Sequence, residues 1–163
     1  MRKCARSNGF NAKKEGNGPM TNTLKGIGWC CLAVLIALYI VGAVSHGSLR
    51  HVVQTLPLWF PIFLGFKRRE PARWCALPCL GFWLGIMVLI WLFLLGWAHV
   101  VSGHFSPVEI AMTLIVGIGS AAGLAMCLWR ARWSTPGTAQ IVVFGVLQYL
   151  AFRISMLPVI AQR

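Results

Sequence analysis

The chain has 163 residues, of which 58% are hydrophobic and only 11% charged, and its net charge is +12. So little polar surface excludes a water-solvated globule and suits a polypeptide dissolved in lipid. The basic residues stand in short gaps between apolar runs, without the basic-aromatic pattern of a nucleic-acid module, so the charge reports topology and no nucleic-acid partner is expected.

Residues 1–23 read as a disordered basic tail, with Arg2, Lys3, Arg6, Lys13 and Lys14 set among Asn and Gly and no apolar periodicity. Met20 is an alternative start that would remove most of it. Residues 24–163 form the expected transmembrane domain. Its first span lies near 26–44 and opens with Trp29 at interface depth. A secretory signal over residues 24–45 competes, because Ala43-Val44-Ser45 resembles a cleavage site. The run from Ile27 to Val44 is long for a signal core, which favours a span.

The second apolar stretch, near 50–66, is short and contains Pro57 and Pro61. It is either a kinked crossing or a re-entrant hairpin. Lys67, Arg68, Arg69 and Arg73 follow at once, and a hairpin would leave all four cations on the outer face, so a crossing is expected. Span three, near 74–101, carries no charge and exceeds the usual minimum length. Span four, near 107–128, has Ser106 as N-cap, Pro107 at the first helical position and Glu109 in the first turn, where the helix dipole favours an anion. Trp129, Arg130, Arg132 and Trp133 then form an aromatic and basic belt, Ser134-Thr135-Pro136-Gly137 supplies a turn, and span five follows near 139–158.

Of the fifteen Lys and Arg residues, twelve fall on one side of this scheme: six before span one, four after span two and two after span four. Only Arg50 and Arg163 fall on the other side, with Arg153 inside span five. The expected fold is therefore an all-α integral membrane bundle of about five helices, the second short and Pro-kinked. Its N-terminus is cytoplasmic and its C-terminus external, in a bacterial-type inner membrane. On that compartment's side, Cys4, Cys30, Cys31, Cys75, Cys79 and Cys127 are not expected to form disulfides.

Four constellations carry what chemistry there is. Gly81 and Gly85 form a GxxxG in span three, Gly119 and Gly123 another in span four, and two small-residue faces at similar depth are expected to meet. His46, His51, His99 and His104 all fall at the outer ends of spans, together with Glu109. Imidazole and carboxylate there suit a metal or a proton relay, although the i to i+5 spacing puts neither pair on one helical face. Glu109 and Arg153 are expected at similar depth as an intramembrane ion pair, the alternative being a helix cap and a snorkelling arginine. Cys75 and Cys79 share a face at i and i+4 but lack further ligands at metal spacing, so no metal site and no cofactor is expected.

The chain carries no GxSxG, HExxH or phosphate-loop motif and too few acids for paired-carboxylate chemistry. The expected role is a non-catalytic accessory or assembly subunit of a membrane complex, with the bilayer and other membrane subunits as partners. The rival is a small transporter or channel element with a polar path near Glu109 and Arg153. A further rival is a redox anchor using the outer histidines.

Overall fold

The computed structural model describes residues 19–45, 48–97, 106–129 and 135–158, and among them the chain is helical with no strand. The helices are α1 (Pro19–Val44), α2 (Ser48–Thr55), α3 (Trp59–Phe66), α4 (Pro71–Leu94), α5 (Pro107–Leu128) and α6 (Thr135–Ser155). Four of them, α1, α4, α5 and α6, are long and apolar enough to cross a membrane. Even the 21-residue α6 rises about 31 Å, which matches a hydrocarbon core of about 30 Å. Large apolar side chains such as Ile36, Phe63, Val88, Ile118 and Val142 face outward around the bundle, as a lipid solvent permits.

Local signals set the helix ends. Ser106 and Glu109 form a capping box at the start of α5: the Ser106 amide donates to Glu109 Oε2 at 2.7 Å and the Glu109 amide donates to Ser106 Oγ at 3.3 Å. α4 starts at Pro71 and stops at Leu94, short of the expected 101. Gly96 is the reason. Its φ of 75° closes a Schellman motif in which the Gly96 amide donates to the Phe93 carbonyl and the Trp97 amide to that of Leu92, both at 2.9 Å. α1 begins at Pro19, so residues 19–23, expected in the tail, are helical.

The second apolar stretch is one broken segment. Pro57 lacks an amide hydrogen, and around it the backbone tightens to a 3-10 turn over Leu56–Leu58 that joins α2 to α3. This segment runs antiparallel to nearly the whole of α1. Ser48 Oγ donates to the Gly42 carbonyl at 3.3 Å, Thr55 meets Tyr39, the Phe66 and Trp29 rings stack edge-on at 5.2 Å, and Gly65 lies on Gly28. It therefore ends beside Leu24 and Gly28, within the first ten residues of α1, and Lys67, Arg68, Arg69 and Glu70 connect it to α4.

Directions alternate through the bundle. Met126 and Gly119 of α5 lie against Gly26 and Val34 of α1 respectively, so these helices are antiparallel. Phe82 of α4 stacks on Phe152 of α6 at 5.4 Å while Pro78 lies near Gly145, so that pair is parallel. At one end, hereafter the His51 end, α1, α2, α6, α4 and α5 form a ring in which each helix packs on the next. At the other, cationic end, the kink carries α3 toward α1 and α4. There the centre is filled by Ile27, Cys31, Leu58, Cys79, Leu80 and Cys127, all fully buried.

The expected meeting of the two GxxxG faces does not occur. Gly119 and Gly123 do admit close neighbours, but not the glycines of α4: a Cβ built on Gly119 would lie 3.2 Å from Val34 Cγ2 of α1, and one on Gly123 would lie 2.6 Å from Leu80 Cδ1 of α4 and 3.1 Å from Cys30 Cβ of α1. Gly81 and Gly85 have nothing within 4 Å of such an atom. The physical reason is the rotation of α4, whose inward face is set by Leu80, Trp83 and Met87 at helical spacing, which leaves Gly81 and Gly85 on the outside.

Candidate functional site

The kink that fills the centre at the cationic end leaves it open at the His51 end. A cavity of about 620 Å³ lies there inside the ring of five helical elements, within the roughly 300–1,000 Å³ of small-molecule sites. Leu38, Ile86, Met87, Val116 and Phe152 give it apolar walls, while Arg50, His51, Gln54, Trp83, Glu109 and Thr113 bring polar groups.

Each polar group is positioned by its own helix. α2 begins at Ser48, so Arg50 and His51 fall in its first turn at the mouth. Gln54 lies one turn deeper, where its side-chain amide donates to Ser155 Oγ at 2.8 Å and its backbone carbonyl accepts from Gln148 Nε2 at 3.0 Å. These buried bonds tie the broken segment to α6 and take up a carbonyl beside the helix break, where the tightening at Pro57 disturbs the usual ladder. Glu109 and Thr113 line the cavity one turn apart on α5, and Trp83, only 3% exposed, enters it from the middle of α4.

The hydrogen-bond inventory of this lining is lopsided. The Thr113 hydroxyl donates to its own Ile110 carbonyl at 2.7 Å, the Gln54 amide donates to Ser155, and a Glu109 oxygen is engaged by the Ser106 amide. Arg50 Nε, His51 Nδ1 and Trp83 Nε1 are buried without a partner. The first and third are donors in every protonation state, whereas an imidazole nitrogen can donate or accept. Burying such groups unpaired costs about 1–3 kcal/mol each, so the cavity is built to receive acceptor atoms.

Of the four histidines, His51 is brought to this site together with Glu109, whereas His46, His99 and His104 lie outside the described residues. The expected ion pair is not formed. Glu109 caps α5 and lines the cavity, while Arg153 is exposed and borders an adjoining depression with Ile154, Leu157 and Met156, the last of which also lines the cavity. Glu109 therefore takes the capping role and Arg153 stands at the rim. Among the described residues no three His, Cys, Asp or Glu side chains are placed to hold a metal ion, and Cys30, Cys31, Cys75, Cys79 and Cys127 are free thiols.

Arg50, Gln54 and Trp83 were not singled out by motif or spacing. Arg50 and Gln54 carry a weak signal as polar residues at the start of an apolar stretch, but Trp83 carries none, since a tryptophan in an apolar helix has no mark of its unpaired indole. No family model, no curated protein and no solved structure matches the chain.

Proposed function

We propose that the chain is a five-span protein of a bacterial-type inner membrane, with a cytoplasmic N-terminus and an external C-terminus. It acts without catalysis, as an accessory subunit that offers a one-sided binding cavity to the outer half of the bilayer. The observation that carries this reading is the polarity of the bundle along its axis. Lys25, Lys67, Arg68 and Arg69 gather at one end, as expected for a cytoplasmic face, and the cavity with its unpaired donors lies at the other.

Two features support a crossing by the broken segment: its antiparallel course along α1 from Gly42 to Gly28, and the cations that follow it. The closed apolar centre beneath the cavity supports binding over a through-path. A transporter remains the second reading, favoured by the Pro57 break beside the cavity, which is the kind of interrupted segment that borders substrate sites.

Sidedness is tested by reporter fusions at Ser48, Arg69, Gly103, Thr135 and Arg163. The expected result is Arg69 and Thr135 inside with the other three outside, and an external Arg69 overturns the topology. Role is tested by purification in mild detergent together with reconstitution into vesicles. A stoichiometric membrane partner and no solute uptake are expected, whereas uptake moves the assignment to the transporter.

A further inference from the structure

We propose that the cavity at the His51 end binds one single-chain membrane amphiphile by its anionic oxyanion head. The inference rests on the outward placement of the cavity argued above and adds the chemistry of its occupant. Three observations carry it together.

The unpaired donors of the lining call for acceptors: Arg50 Nε and Trp83 Nε1 have no partner, while the donors of Thr113 and Gln54 are already used within the protein. Arg50 adds a fixed positive charge, and the one nearby carboxylate, Glu109, is held in the cap of its own helix. An oxyanion meets both demands, since it supplies several acceptor lone pairs and a charge opposite to the guanidinium. Trp83 lines the cavity and is nine-tenths buried or more, so bulk water does not satisfy its unpaired indole hydrogen.

The remaining walls are apolar. Leu38, Ile86, Met87, Val116 and Phe152 have no use for a free hydrated anion, but they match an alkyl chain. Leu89 and Met156 line the cavity and are also each 41% exposed at the outside of the bundle, so the apolar lining is continuous with the lipid-facing surface. A tail entering from the bilayer with its head at Arg50 satisfies the apolar walls and the unpaired donors of Arg50 and Trp83.

The test uses the full chain in phosphatidylcholine nanodiscs, titrated with dodecyl phosphate, dodecanol or inorganic phosphate, with adducts counted by native mass spectrometry. One dodecyl phosphate per chain is expected, with dodecanol weaker by about tenfold or more and no adduct with inorganic phosphate, because a charged hydrogen bond carries that much affinity. Arg50→Gln should weaken dodecyl phosphate by about tenfold and leave dodecanol unchanged, and Trp83→Phe should weaken it by roughly threefold to tenfold. Arg153→Gln, outside the cavity lining, should change nothing. Arg50 Nε has no partner to lose, so Arg50→Gln remains informative even if Trp83→Phe fails to fold.

Equal binding of dodecanol, several equivalent adducts, tight binding of inorganic phosphate or indifference to Arg50→Gln would each overturn the assignment. The fusion map reads sidedness without any ligand. A chain with the expected sidedness and no adduct refutes the occupant alone, while an adduct in a chain of inverted sidedness refutes the topology alone.

Discussion

Gly28 and Gly65 touch backbone to backbone: a Cβ built on Gly65 would lie 2.9 Å from the Gly28 Cα and 3.0 Å from the Leu24 carbonyl oxygen. Neither neighbour is the end of a flexible side chain, so the contact cannot be relieved by a rotamer change. This approach seats α3 on α1 and brings the end of α3, just before the Lys67–Arg69 turn, to the Leu24–Gly28 part of α1. Gly65→Ala should therefore destabilise the detergent-solubilised protein by about 1–3 kcal/mol, the usual cost of overpacking. Gly81→Ala, with open space around it, should stabilise by about 0.5–1 kcal/mol through helix propensity. Mixed-micelle unfolding midpoints would compare the two, and equal tolerance would remove the close approach from the account.

Two helix ends share one motif but not one residue. At the end of α4 the left-handed position is Gly96, whereas at the end of α3 it is Arg68, with φ 54°, and the Arg68 and Arg69 amides donate to the Gly65 and Leu64 carbonyls at 3.0 Å. A side chain in this region costs about 1 kcal/mol, which glycine avoids. Arg68→Gly should raise thermal stability by about that amount and Gly96→Ala should lower it by a similar one. A fall in stability for Arg68→Gly would show that the arginine side chain contributes more than its backbone strain costs.

The span limits and the capping box were legible because each is written locally. An apolar run bounded by charge defines a crossing whatever its neighbours, and Ser106, Pro107 and Glu109 interact within one turn. The facing of helices was not legible, because lipid solvates an outward Val142 as readily as a core accepts Val34. With no polar face to mark the outside, the GxxxG of α4 and that of α5 look alike in sequence, yet only Gly119 and Gly123 are packed. The cavity was hidden for a different reason. It arises from where Pro57 sends α3, a displacement felt between helices distant in sequence, and a kink-forming proline does not announce its direction.

Gln148 reaches across to the Gln54 carbonyl, and both ends of that bond are buried. Gln148→Leu leaves the carbonyl without this donor and should cost about 1–3 kcal/mol. Gln140 provides the comparison, since its Oε1 has no partner in the structure. Gln140→Leu removes that buried, unpaired acceptor and should leave stability unchanged or raise it by up to about 1 kcal/mol. Comparable losses at both positions would mean that glutamine polarity on α6 matters in some way other than this bond.

Glu109 and Arg153 offer a decisive double-mutant cycle, because an ion pair and a cap predict different couplings. In the capping box, Glu109 Oε2 accepts from the Ser106 amide, an acceptor that Gln also supplies and Ala does not. Glu109→Ala should then cost about 1 kcal/mol while Glu109→Gln costs less. Arg153→Gln should change stability by under about 0.5 kcal/mol, as for an exposed side chain away from any bonded partner. The charge-swapped pair, Glu109→Arg with Arg153→Glu, should show the sum of its single losses and no recovery. Additivity within about 0.5 kcal/mol is expected for residues that share no contact, and a coupling larger than about 1 kcal/mol would restore the intramembrane ion pair.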